Sequence, residues 1–177
     1  MADTQHDKLE KVCQDISATT NNNIIIEQSI CDVTNEAQVQ DALRKADELI
    51  ANQPASILVN SAGITRDGLT SNLSDKDWDS VIDVNLKGTF LMCKAFFEPN
   101  RINSLLMGSR IGGSIINIGS IVSNYGNVGQ VNYAGRSAAL VLFHHVNSCV
   151  QYEASTRSLL HLTLFCLYLI AFASRVP

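Results

Sequence analysis

The chain lacks the patterns that mark metal-bound and disulfide-stapled proteins. Its five cysteines, Cys13, Cys31, Cys93, Cys149 and Cys166, form no C-x-x-C pair and meet no histidine at ligand spacing, so neither a zinc site nor a disulfide framework is expected. They read as reduced thiols of an intracellular protein. Positive charge is scarce as well: 13 Lys and Arg stand against 17 Asp and Glu, for a net charge of -4. No basic stripe is available to neutralise phosphates, which excludes nucleic acid as the main partner. The opening Met1-Ala-Asp-Thr-Gln-His-Asp7 holds two acids and no apolar stretch, so no secretory signal or Arg-rich import peptide is visible.

What is present is the composition of an ordinary globular domain. The 177 residues are 46% hydrophobic, 17% charged and 6% aromatic, which excludes disorder, collagen and coiled coil as global descriptions and suits one hydrophobic core. Charge is uneven along the chain: 27 of the 30 charged side chains lie in residues 1–137, and only Glu153, Arg157 and Arg175 follow. The tail contains Leu159 to Ala173, fifteen residues of which thirteen are apolar. As a helix that run is about 22 Å long, short of the ~30 Å hydrocarbon core, so an atypical apolar helix is expected rather than a membrane span. His144-His145 is read as part of a helix surface, with no metal.

Hydrophobic periodicity places the elements. Leu9, Val12 and Ile16 predict a short opening helix over Asp7 to Ile16. The β-branched run from Ile24 to Val33 predicts a buried strand. Thr34 or Asn35 caps a predicted helix through about Asn52, with Val39, Leu43, Ala46 and Ile50 on one face. Ser56-Ile-Leu-Val59 predicts a second strand. Ser74 opens a helix whose pattern runs through Trp78, Val81, Ile82, Leu86, Phe90 and Ala95. Residues 113–118 predict a third strand, and another helix starts near Asn132. Strands alternating with helices imply a doubly wound parallel α/β sheet, with sites at the carboxyl ends of the strands.

Those ends carry the informative residues: Cys31-Asp32-Val33, Asn60-Ser-Ala-Gly63, Val84-Asn85-Leu86-Lys87-Gly88, and the run GGSIINIGSIVSNYGNVGQVNYAG at 112–135. Singly each is weak. Ser120 and Tyr133, thirteen apart, are commonplace; Asn85 alone reads as a helix amide bonded locally, Asp32 as a solvated strand end, and residues 60–63 as a turn. In this order and spacing, over about Asp7 to Leu142, the sequence resembles the short-chain dehydrogenase/reductase family. Its nearest likeness is the branch of 17β-hydroxysteroid dehydrogenase type 8 and β-ketoacyl carrier-protein reductase.

The resemblance implies an NAD(P)-dependent oxidoreductase acting on 3-oxoacyl or steroid-like keto and hydroxyl groups. Tyr133 would give the nascent alkoxide its proton, Ser120 would hydrogen-bond the same oxygen, and Asn85 would anchor the water that reprotonates the tyrosine. Asp32 and Val33 would border the adenine, while Asn60, Ala62 and Gly63 would let backbone approach the cofactor. The partners implied are a small ketone or alcohol and a homo- or hetero-oligomer formed through helices at 78–98 and 133–147. The branch suggests mitochondria, with cytoplasm as the alternative.

Three departures from the family pattern give a second reading. The family's lysine, four residues after the tyrosine, is here Ser137, and the only nearby cation is Arg136. No T-G-x-x-x-G-x-G segment occurs, so the expected sheet is an incomplete Rossmann-like one lacking its first two strands, leaving the strand at 24–33 without its neighbour and the choice between NAD and NADP unread. Beyond Leu142 the pattern gives way to a divergent tail over 143–177, expected from an alternative reading of a gene. On this reading the chain is a truncated, catalytically compromised isoform acting through association with full-length relatives.

Overall fold

The computed structural model describes residues 1–20, 24–49, 55–98 and 114–139. Two compact units emerge, one from Met1–Ala62 with Lys87–Ile116, the other from Gly63–Leu86 with the chain from Asn117 onward. The expected boundary after Leu142, the tail, the end of the helix at 133–147 and the His144-His145 pair lie outside the described residues.

The first unit opens with β1 (Ala2–Asp3), α1 (His6–Thr19) and β2 (Ser29–Ile30). The Asp3 carboxylate accepts the Gln5 N–H at 2.8 Å, turning the chain from strand into helix. Leu9 and Cys13 form the buried stripe of α1, whereas Val12, expected on that face, is 41% exposed. Strand β2 corrects two expectations. It spans two residues rather than ten, with Ile24 and Ile25 exposed, and it does have a neighbour. β1 pairs with it in parallel, Ala2 beside Ser29 and Asp3 beside Ile30, through Ser29 N–H to the Met1 carbonyl at 2.9 Å and Cys31 N–H to the Asp3 carbonyl at 3.0 Å. A strand extends only where a partner satisfies its backbone groups, and the pairing with β1 reaches from Ser29 to Cys31. β-Branching at Ile24 to Ile26 does not substitute for a ladder.

α2 (Glu36–Glu48) is capped as predicted, by Asn35, whose side chain accepts from the Ala37 and Gln38 N–H groups. It buries Val39, Ala42 and Leu43 and packs on α4 (Gly88–Phe96), where Lys94 and Glu36 meet at 2.7 Å. α4 also covers β3 (Ile57–Asn60). Leu58 and Asn60 face inward, while Ile57 and Val59 are 62% and 54% exposed. β3 neighbours β4 (Ser114–Asn117), with Ser114 N–H donating to the Ser56 carbonyl at 2.7 Å. Among the described residues the single doubly wound sheet resolves into two two-stranded sheets, and β3 buries one face only.

In the second unit Ser74 caps α3 (Asp75–Ile82), its hydroxyl accepting the Asp77 N–H. A π turn, Asp83–Lys87, follows. The expected pattern ran through this stretch as one α-helix, but a π turn takes an extra residue and shifts the register, which leaves Phe90 of α4 47% exposed. Trp78 is 40% exposed as well. α5 (Val122–Tyr125) ends at Gly126, with φ +70 and ψ 174, a region essentially closed to other residues. Gly126→Ala is expected to cost about 1 to 3 kcal/mol from backbone strain, because a Cβ there would meet nothing within 4 Å. A denaturation midpoint that falls with unchanged slope supports this, and an unmoved midpoint refutes it. A final described helix, α6, covers residues 131–139.

Candidate active site

The second unit gathers its candidate residues around the loop from Gly63 to Gly68. Asn85, in the π turn, is 0% exposed. Its Nδ2 donates to the Ile64 carbonyl and its Oδ1 accepts the Ile64 N–H, both at 2.7 Å. The local bonding that Asn85 suggests in isolation is thus corrected: its amide reads the backbone of a residue 21 positions earlier. A Cβ on Gly63 would lie 3.5 Å from that same Oδ1, an ordinary van der Waals contact, so the approach of Asn85 does not by itself demand a glycine there.

The other end of the loop is held by Gly129 and Gln130, just before α6, and by Asn132 in its first turn. Gly68 N–H donates to the Gly129 carbonyl at 2.8 Å, and Gln130 reaches the Asp67 carboxylate at 3.1 Å. Asn132, fully buried, donates through Nδ2 to the Arg66 carbonyl at 3.0 Å and accepts the Tyr133 N–H at 2.8 Å. The head of the helix that carries Tyr133 is therefore tied to the segment that Asn85 grips.

Tyr133 is half-buried, and the Arg136 guanidinium lies 4.1 Å from its ring centroid. Such a stack is worth about 0.5 to 2 kcal/mol. Arg136 is 4% exposed and its Nε has no hydrogen-bond partner; burial pulls its pKa down, against the opposing influence of Tyr133. Ser137 is completely buried and its hydroxyl is unpartnered. The Ser120 hydroxyl accepts the Val122 N–H at 3.3 Å at the mouth of α5.

The first unit holds the residues expected at the cofactor. Asp32 Oδ1 accepts from both the N–H and the hydroxyl of Thr34, at 2.9 and 2.7 Å, so one carboxylate oxygen fixes the turn into α2. Val33 is half-buried beside it. Asn60 turns inward, its amide 3.4 Å from the Cys93 sulfur, and burial pushes that thiol up to about 11. Ala62 is exposed. Asp3 was not singled out by sequence, because two residues of β1 are too few for a periodicity to register. It stands at the carboxyl end of a strand parallel to β2, where an open α/β sheet places its ligands.

The short chain dehydrogenase family pattern matches residues 1–154. The chain belongs to that family. A human (3R)-3-hydroxyacyl-CoA dehydrogenase is 42% identical over 107 residues, 60% of this chain and 39% of that protein. A 3-oxoacyl-[acyl-carrier-protein] reductase FabG of Thermotoga maritima is 35% identical over 116 residues, 66% of this chain and 44% of its own length. A FabG of Rickettsia typhi is 35% identical over 150 residues, 85% of this chain and 55% of that enzyme. The chain thus spans roughly two-fifths to just over half of these relatives.

Membership in this short chain dehydrogenase family gives the observed pieces a common context. The residues present suit the adenosine half of a dinucleotide: ordered carboxylates at Asp3 and Asp32 close the ends of β1 and β2, and small residues follow β3. Asn60 fits less simply, since its amide is engaged by the interior. Among the described residues no cluster of three or more His, Cys, Asp or Glu could hold a metal ion, and no helix is long and apolar enough to cross a membrane.

Proposed function

We propose that this chain is an NAD(H)-linked oxidoreductase that interconverts 3-oxoacyl and 3-hydroxyacyl thioesters. The dinucleotide, when bound, supplies or accepts the hydride at the substrate carbon. Tyr133 gives its hydroxyl proton to the carbonyl oxygen as the alkoxide forms, and Ser120 donates a hydrogen bond to that oxygen. The observation that carries the reading is the shared loop: Asn85 holds Ile64 and Asn132 joins Arg66 to Tyr133, so the family's acid and its asparagine are registered on one segment. The relatives, a 3-hydroxyacyl-CoA dehydrogenase and 3-oxoacyl-[acyl-carrier-protein] reductases, support an acyl thioester before a steroid-like ketone.

Asp3 supports NAD over NADP. A carboxylate at the end of this strand accepts a ribose 2′-hydroxyl and repels a 2′-phosphate. Calorimetric titration is expected to give an NADH dissociation constant below about 1 mM and at least about tenfold tighter than NADPH, a difference of roughly 1.4 kcal/mol. Asp3→Ala is expected to erase the preference. Equal binding by the unaltered chain, or a preference that survives the substitution, would remove Asp3 from the site.

Ser137 favours a second reading, in which the chain associates with full-length relatives and does not turn over substrate. In place of a lysine ammonium it puts a buried, uncharged hydroxyl without a partner. Arg136 stacks on the tyrosine but cannot release a proton to a relay. Exposed Trp78 and Phe90 lie on helices expected at the oligomer interface. Ser137→Lys separates the readings: a rise in turnover assigns the defect to the missing ammonium, and no turnover from either form leaves association.

A further inference from the structure

Asn132 is the second residue of α6, and its amide makes two bonds that lead in different directions. A serine or aspartate can satisfy the first turn of α6, but neither a serine of that reach nor an ionised aspartate provides what Asn132 provides, an acceptor and a donor at opposite edges of one planar group. Its acceptor takes the Tyr133 N–H at 2.8 Å and its donor meets the Arg66 carbonyl at 3.0 Å. The side chain is fully buried, so both bonds are shielded from competing water, and breaking either leaves a backbone group unpaired. Two residues before Arg66, Ile64 has both of its backbone polar groups held by Asn85.

We infer that Asn132 is a positioning residue: its amide couples the backbone of Tyr133 to the Ile64–Gly68 loop, so that the phenol and Asn85 keep a fixed register through that loop. The inference rests on Tyr133 being the proton donor of the proposed reaction, though the coupling itself exists whether or not the chain turns over. Gln130, bonded to Asp67, and the Gly68–Gly129 bond anchor the same loop from the segment just before α6, so removing Asn132 should loosen the register without releasing the loop altogether. Proton transfer is sensitive to small displacements, with about 1 Å costing up to 10²-fold, whereas binding of the substrate's remote parts is not.

The test uses Asn132→Ala and Asn132→Asp in the full chain, with amide hydrogen exchange and steady-state reduction of acetoacetyl-CoA by NADH. Coupling predicts that Asn132→Ala speeds exchange at Ile64 about tenfold as well as at Tyr133. It also predicts a kcat at least about tenfold lower with KM for acetoacetyl-CoA changed less than about twofold. Asn132→Asp keeps the acceptor and loses the donor, so Tyr133 should stay protected while Ile64 loosens. Loosening confined to Tyr133 and the first turn of α6, with Ile64 unchanged, would overturn the inference and leave Asn132 a residue that acts on its own helix alone. Absence of turnover in the unaltered chain would sink the proposed reaction instead, and the exchange pattern would still decide Asn132. If Asn132→Ala does not fold, the isosteric Asn132→Asp carries the exchange test alone.

Discussion

Replacing Tyr133 with phenylalanine is expected to lower reduction of a 3-oxoacyl thioester about 10²- to 10⁴-fold, the usual contribution of a positioned general acid. The substitution removes the hydroxyl and, with it, the side-chain hydrogen bond to Arg136. The ring that Arg136 covers at 4.1 Å is retained, because the attraction of a cation for an aromatic face needs no hydroxyl, and the backbone N–H bonded to Asn132 is untouched. NADH binding should therefore be unchanged within about twofold, and the loss of activity should fall on kcat. Arg136 cannot compensate, since a guanidinium does not act as an acid near neutral pH. A Tyr133→Phe protein that keeps most of its turnover would move the proton donor elsewhere.

Asn85→Ala is expected to be the most destabilising of the substitutions considered. Two backbone groups of Ile64 depend on this amide, and each buried group left unpaired costs about 1 to 3 kcal/mol, so a loss of roughly 2 to 6 kcal/mol is expected. Denaturant unfolding followed by circular dichroism measures it. Asn85→Asp separates the two bonds. It preserves the acceptor for the Ile64 N–H but sets a carboxylate oxygen against the Ile64 carbonyl. Burial favours the neutral acid, which restores a donor, so the variant should regain stability as the pH falls and lose it as the pH rises. A loss below about 0.5 kcal/mol for Asn85→Ala, the level of an ordinary surface change, would mean that the pair at Ile64 is not a structural clamp.

Much of the local structure was legible because local chemistry determines it. Asn35 and Ser74 cap the helices that follow them because their side-chain oxygens reach orphan N–H groups two or three residues on. The strand at Ile57–Asn60 was legible from its apolar, β-branched run. Partners distant in sequence were not legible. Ile24 to Ile26 look like a strand, yet the ladder bonds that would make one must come from elsewhere, and Met1–Asp3 supplies them only to residues 29–31. Val12 and Cys13 both fit a helical spacing, and only packing chose Cys13. The π turn shifted the stripe beyond Asn85, which no 3.6-residue pattern anticipates.

The candidate residues divide the same way. Asn85, Ser120 and Tyr133 stood out through an ordered series of motifs. Asn132 did not, because its decisive bond, to a carbonyl 66 residues earlier, is long-range and leaves no local pattern. Asp3 was hidden by the shortness of β1. Ser137 was visible as a departure, but its complete burial without a hydrogen-bond partner belongs to the fold.

The decisive measurement is product formation by the purified full chain given acetoacetyl-CoA and NADH, with Tyr133→Phe alongside. Catalysis through Tyr133 predicts 3-hydroxybutyryl-CoA formed one for one with NADH consumed, saturating in both substrates and lost in the Tyr133→Phe protein. A folded chain that binds NADH but forms no 3-hydroxyacyl product, or forms it equally well without the phenol, would contradict it.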